Sequence, residues 1–244
     1  MENIFSMSGL PKNIVISGCT RGIGYAIAEL FASGGFNVAG CARSEKDLLH
    51  MQTDFEKRFP TCNFLFACCD MSKAEEVKTF AASMIKAWGK VDLLVNNAGV
   101  FLPGSIYTEE EGVLETLLAA NVHSAYHLTR SVLPVMIKAQ AGSIFNICSV
   151  ASLKAYENGG SYCISKFALL GFSKQLREEM KPHGIKVTAI MPGATYTQSW
   201  ANAGIPQSRF MPASDIAKSI WDIYHLSSTT DVEEVILRPQ FGDI

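Results

Sequence analysis

Short apolar runs alternate with longer segments of helical period along the whole chain. Asn13–Ser17, Phe36–Cys41, Phe64–Cys69, Val91–Val95, Ser143–Cys148, Ile185–Met191 and Val235–Leu237 read as strands. Ile14-Val15-Ile16 and Leu93-Leu94-Val95 are continuous rather than alternating, as expected of parallel strands covered on both faces. Helices are predicted between them at Gly22–Ser33, Glu45–Arg58, Lys73–Trp88, Glu109–Lys138, Gly159–Met180 and Ala213–Leu226. Ser72-x-x-Glu75 and Thr108-x-x-Glu111 read as capping boxes opening two of them, and Glu109-Glu110-Glu111 as a complement to a helix N-terminus. Strict alternation of strand and helix implies right-handed crossovers in one α/β, doubly wound parallel sheet. Its ligands belong beyond the carboxyl ends of the strands.

Composition narrows the partners. A chain of 244 residues with 48% hydrophobic and 18% charged residues is expected to form one domain over residues 1–244 with a large core. Its 21 Lys+Arg against 23 Asp+Glu, a formal charge of −2, argues against a nucleic-acid partner. No apolar run approaches the roughly 18 residues of a membrane span, and Glu2 stands where a signal peptide carries positive charge. Seven cysteines without a C-x-x-C pair suit reduced thiols in a cytoplasmic protein better than a disulfide framework or a zinc site. Gly193–Pro212 is the loosest stretch and is expected to be a substrate-binding loop.

The first strand leads into Ser17-Gly18-Cys19-Thr20-Arg21-Gly22-Ile23-Gly24. A glycine-rich turn opening a helix is where backbone N–H groups and the helix dipole attract a pyrophosphate. The spacing is G-x-x-x-G-x-G, without the Gly-Lys-Ser/Thr of an NTPase loop. On these glycines alone, a structural turn and a cofactor loop are equally good readings.

Further along stand Asn96-Asn97-Ala98-Gly99, Ser149, Tyr162-x-x-x-Lys166 and Pro192-Gly193. Together with the glycine turn, and in this order, they resemble the short-chain dehydrogenase/reductase family over essentially the whole chain. The resemblance implies a Rossmann-type sheet in the order 3-2-1-4-5-6-7 and a nicotinamide cofactor held by Ser17, Gly18, Thr20, Arg21, Gly22, Ile23 and Gly24. It further implies that Asp70 meets the adenine, though Asp70 also reads as a turn residue ahead of Ser72. Asn97, Ala98 and Gly99 would line the adenosine ribose, and Pro192, Gly193, Thr195 and Thr197 would meet nicotinamide and pyrophosphate.

After the second strand, Ala42 stands where NAD-preferring relatives carry Asp, and Arg43 follows. With Arg21, two cations converge where a 2′-phosphate would sit, which favours NADP(H) over NAD(H). Carbonyl reduction also needs a proton donor at the developing alkoxide. Tyr162 and Lys166 are four apart and share a helix face, so the ammonium is expected to lower the phenol pKa from its usual value of about 10. Ser149 lies thirteen positions before Tyr162 and would hold the carbonyl oxygen. The resemblance gives Lys166 a second role on the nicotinamide ribose and makes Asn121 the fourth catalytic member, holding a water that links Lys166 to solvent.

These residues predict an NADP(H)-dependent reductase of ketones or aldehydes, with an NAD-dependent alcohol dehydrogenase or a nucleotide-sensing regulator on the same fold as alternatives. Oxoacyl-carrier-protein reductases and small carbonyl reductases of the sepiapterin type are the nearest functional neighbours the resemblance suggests. The ending Phe241-Gly242-Asp243-Ile244 lacks the Gly-Gly common in the former. Phe101, Leu102, Tyr156, Tyr196, Trp200, Ile205, Phe210 and Met211 are expected to wall an apolar substrate pocket. His123 and His127 share a helix face without a third ligand, so no metal is expected. Relatives pair the helices that contain Asn121 and Tyr162, implying a homodimer or homotetramer, with Phe167–Phe172 as a candidate face.

Overall fold

A computed structural model describes residues 11–198 and 204–243. Seven parallel strands form the sheet: β1 (Asn13–Ser17), β2 (Asn37–Ala42), β3 (Phe64–Cys68), β4 (Leu93–Asn96), β5 (Gly142–Ile147), β6 (Ile185–Pro192) and β7 (Glu234–Leu237). Their order is β3-β2-β1-β4-β5-β6-β7, so the topology turns over between β1 and β4. The helices are α1 (Gly22–Ser33), α2 (Glu45–Arg58), α3 (Ala74–Trp88), α4 (Val113–Leu118), α5 (Ser124–Ala139), α6 (Gly160–Met180) and α7 (Ala213–Tyr224). No helix of the described residues is long and apolar enough to cross a membrane.

The unbroken apolar runs follow from burial on both sides. Ile14, Ile16, Leu93 and Val95 face a core built with Ile27, Phe31, Phe55 and Ile220. Val15 and Leu94 face the opposite core, with Met84, Leu128, Val132 and Leu176. Since the side-chain period of a strand is two, each run supplies both layers.

Three local expectations are corrected. Neither capping box forms. Ser72 gives its N–H and hydroxyl to Asp70 Oδ1 at 3.0 and 2.8 Å, so α3 opens at Lys73 without a side-chain cap. Thr108 gives its N–H and hydroxyl to the Ser105 carbonyl, and α4 starts only after Gly112, whose φ of 87° turns the chain into the helix. The predicted helix 109–138 is therefore shorter, and it is interrupted by a π-helical turn at Ala119–His123.

The loop after β6 is tied at both ends. Thr195–Tyr196 and Met211–Pro212 form a two-residue parallel ladder, and the Gly193 N–H bonds to the Leu237 carbonyl at 2.7 Å. Met211 is buried in the first core, and Phe210 is buried with its ring 5.8 Å from that of Tyr196. Trp200 lies outside the described residues.

Arg177 joins three elements. Its Nε donates to the Val187 carbonyl at 2.9 Å, and its two Nη atoms reach Glu233, with the residue 3% exposed. Replacing Arg177 by Met takes the side-chain donor from the buried Val187 carbonyl, whereas the Glu233 carbonyl keeps the Ala189 N–H, and is expected to cost about 1–3 kcal/mol. Urea unfolding checks this, and a midpoint equal to the parent's contradicts it.

Candidate active site

Parallel strands end on one edge, and the sequence-predicted site residues collect there. The glycine turn follows β1 with Gly18 at φ 70° and Gly22 at φ 53°. A Cβ on Gly24 would lie 2.2 Å from the Gly18 carbonyl oxygen and 2.5 Å from Asn97 Nδ2, so only glycine lets α1 approach the turn this closely. Arg21, at the N-cap of α1, makes no side-chain cap, and the first turn holds no acidic residue. The N-terminus of α1 therefore keeps its attraction for an anion. A Cβ on Gly22 would meet Thr197 Cγ2 at 2.9 Å, which places the post-β6 segment against the turn.

Two residues expected at the cofactor work inside the scaffold. Ser17 is 2% exposed, and its hydroxyl accepts from the N–H groups of Asn97 and Ala98 at 3.0 and 2.9 Å. Asn97 Nδ2 donates to the carbonyls of Ser17 and Gly18, both at 2.9 Å. Pro192 closes β6, and the Thr195 hydroxyl donates to the Gly193 carbonyl at 3.1 Å.

Toward β2, Arg21 is engaged: Nη2 and Nε lie 2.6 and 3.2 Å from Asp47 Oδ2 in α2. The guanidinium hydrogen bond holds the Asp47 carboxyl below the usual range. Arg43 is exposed at the end of β2 and acts electrostatically on Asp70, whose carboxyl is lowered first by the Ser72 hydroxyl bond. Asp70 thus adopts the turn geometry that was its alternative reading.

The second half of the site lies across β4 and β5. Ser149 caps the short 3-10 turn Val150–Ser152, its Oγ accepting from the Ala151 N–H at 3.1 Å. An accepting hydroxyl keeps its own proton to donate. Tyr162 and Lys166 occupy the first two turns of α6. Lys166 Nζ is buried, donates to the Ile147 carbonyl at 3.0 Å and lies 5.9 Å from the Tyr162 ring centre. The Tyr162 ring meets Phe101 edge-on at 4.8 Å, and its hydroxyl has no protein partner among the described residues. Burial pushes the hydroxyl pKa of neighbouring Tyr156 up, with Tyr162 adding to the shift, so Tyr156 stays neutral.

Asn121 is fully buried in the π-helical turn. Its Oδ1 accepts from the Val100 N–H at 2.7 Å, and its Nδ2 donates to the Val100 carbonyl and Ser165 Oγ. A Cβ on Gly99 would lie 2.9 Å from Asn121 Oδ1 and 3.7 Å from Lys166 Nζ, so Gly99, Asn121 and Lys166 meet at one point. Burial pushes the Cys19 thiol up to about 12 and raises Cys148 as well, which makes both inert fillers. The His123 and His127 rings lie 6.4 Å apart.

Sequence reasoning missed the partners of two charges. Asp47 on Arg21 comes from a separate element. Glu109 completes a helix 52 positions further on, accepting from the Ser161 N–H at 3.0 Å and from the Ser161 hydroxyl. The acidic triplet 109–111 reads as a complement to a helix N-terminus, and Glu109 meets that of α6.

Known proteins bear on this arrangement. Residues 12–221 match the family described as short chain dehydrogenase. The sepiapterin reductase of Chlorobaculum tepidum is 30% identical over 239 residues, covering 95% of this chain and 97% of its own length. A 3-oxoacyl-[acyl-carrier-protein] reductase of Chlamydia trachomatis is 31% identical over 227 residues, 87% and 90% of the two chains. Among solved structures, a metagenomic short-chain oxidoreductase in complex with NADP superposes with a TM-score of 0.82 at 29% identity, covering 94% and 97% of the two chains. The L-sorbose reductase of Gluconobacter frateurii, complexed with NADPH and L-sorbose, gives 0.85 at 26% identity over 93% and 95%. With its sheet order, its glycine turn and a family match spanning most of its length, this chain belongs to the short-chain dehydrogenase/reductase family of oxidoreductases.

Proposed function

We propose that the protein interconverts a carbonyl compound and its alcohol with NADP(H), using Tyr162 as general acid in reduction and general base in oxidation. The observation that carries this reading is the pairing of an unpartnered Tyr162 hydroxyl with the buried Lys166 ammonium beside Phe101. The uncapped N-terminus of α1 fits a pyrophosphate. Gly18, Thr20, Gly22, Ile23 and Gly24 would hold it, with Thr197 beside the turn. Asp70 and the 97–99 segment would meet adenosine, and Pro192, Gly193 and Thr195 the nicotinamide. When bound, the reduced nicotinamide supplies the hydride.

The chain's own groups handle the oxygen. Ser149, whose hydroxyl oxygen already accepts from Ala151, donates its proton as a hydrogen bond to the substrate carbonyl and favours the developing alkoxide. Tyr162 transfers its phenolic proton to that alkoxide. Lys166 stabilises the resulting phenolate electrostatically and has N–H donors beyond the one given to Ile147 for the nicotinamide ribose. Asn121 Nδ2 spends both hydrogens on the Val100 carbonyl and Ser165 Oγ, so a water linking Lys166 to solvent would donate to the lone pair that Oδ1 keeps beside the Val100 N–H.

Exposed Phe101, Leu102, Leu153, Tyr156 and Tyr196 favour a partly apolar carbonyl compound, as does the sepiapterin reductase likeness. NADP(H) is favoured by Arg21 and Arg43 and by the NADP(H) in the two solved relatives. Tyr126, Ile164 and Phe167 are exposed on α5 and α6, which supports pairing of two copies through these helices. Sedimentation at micromolar concentration is expected to give a dimer or tetramer, and a monomer contradicts the pairing.

Tyr162→Phe keeps the ring and removes the proton. We expect kcat for ketone reduction to fall by about 10²–10⁴ while NADPH still binds; unaltered turnover contradicts the role. A 2′-phosphate must also win Arg21 from Asp47. Asp47→Asn is therefore expected to tighten NADPH binding by a factor of about two to five and to leave NADH nearly unchanged, as read by cofactor fluorescence. Equal changes for both cofactors would exclude Arg21 from the 2′-phosphate.

A further inference from the structure

We propose that Glu109 is a positioning residue for Tyr162: from the loop after β4, its carboxylate supplies the missing cap of α6 and sets where the catalytic helix begins. The proposal rests on the oxidoreductase reading given above.

The start of α6 is unusual for a helix that must place a proton donor. Its N-cap is Gly159, which has no side chain to cap with. Unpaired N–H groups in a first helical turn need an acceptor. Glu109 provides it through both oxygens: Oε1 receives the Ser161 N–H at 3.0 Å, and Oε2 receives the Ser161 hydroxyl. A charged acceptor at the positive end of a helix gives a stronger bond than a neutral one. The residue it grips is the immediate neighbour of Tyr162.

Two glycines vacate the space for this carboxylate. A Cβ on Gly160 would lie 2.1 Å from Glu109 Oε1 and 2.4 Å from the Gly104 carbonyl, and one on Gly104 would lie 2.7 Å from Glu109 Cγ. Gly160 also has φ +27°, outside the range other residues favour.

The same loop is fastened to the catalytic elements along its length. Asn121 holds both main-chain groups of Val100, and Phe101 packs on the Tyr162 ring. The Gly104 N–H reaches the Asn158 carbonyl at 3.0 Å, and Ser105 Oγ bonds Asn158 Oδ1 at 2.9 Å. The N–H groups of Thr108 and Glu109 both return to the Ser105 carbonyl, which turns Glu109 toward α6. Leu102, Ile106 and Tyr107 leave the outer side of this loop exposed and apolar. A substrate that presses on the loop therefore presses, through Glu109, on the register of Tyr162.

The test compares Glu109→Ala, Glu109→Gln and Ser161→Ala, using NADPH and a ketone that the wild type reduces. Glu109→Ala is expected to lower kcat about tenfold or more, with NADPH affinity and KM for the ketone staying within about twofold. Glu109→Gln recovers most of the loss, because its amide oxygen still accepts from the Ser161 N–H. Ser161→Ala, which retains the backbone bond, falls between them. Wild-type kcat in Glu109→Ala, or no recovery in Glu109→Gln, overturns the proposal. If Glu109→Ala fails to fold, Glu109→Gln and Ser161→Ala decide through the same split of kcat from KM. If the wild type reduces no ketone, the oxidoreductase reading is what fails. Amide exchange at 161–163 then decides: faster exchange in Glu109→Ala supports the positioning role, and unchanged exchange overturns it.

Discussion

The joint between the carboxyl ends of β1 and β4 governs the geometry above the sheet. Here the strand order reverses, which leaves a crevice between the segments that follow the two paired strands. Ser17 and Asn97 bridge it: one hydroxyl receives two N–H groups, and one carboxamide gives to two carbonyls. Each of these groups is at least partly withdrawn from water, so leaving one unpaired costs about 1–3 kcal/mol. Because Gly24 packs directly on the bridge, the position of α1 depends on it too. Residues expected at the cofactor surface thus serve by shaping the cradle that would receive it.

From that joint the site extends in two directions. Toward β2 and β3 the groups are polar and solvated, with Arg21 bonded to Asp47 and Arg43 acting electrostatically on Asp70. Toward β5 and α6 they are packed, and Lys166, Asn121 and Gly99 crowd into one corner. This division suits a binding end where charge selects and a reacting end where position matters. The loop from Gly99 to Glu109 spans the second half, touching Asn121, Tyr162 and Ser161 in turn.

The sheet was legible because its strands are apolar on both faces, and α1 and α2 because periodicity and turn residues agree at both of their ends. The candidate site was legible where its residues follow directly on a strand end, since the structure brings Ser149 and the glycine turn to one edge of the sheet. What escaped were competitions between elements. A capping signature at Ser72 cannot show that Asp70 lies closer, and one at Thr108 cannot show that the Ser105 carbonyl takes its hydroxyl. One π-helical turn at Ala119–His123 shifts the helical period too little to be seen in a run of apolar residues. Arg21 reads as available because Asp47 stands on another helix.

The central claim is that hydride reaches a carbonyl carbon held between Ser149 and Tyr162. Incubating the wild-type protein with NADPH deuterated at both C4 positions and a panel of apolar ketones, and analysing the alcohols by mass spectrometry, tests it most directly. The account predicts one deuterium on the carbinol carbon of at least one product, in proportion to the NADPH oxidised. NADPH that binds but transfers no deuterium across the panel would contradict it.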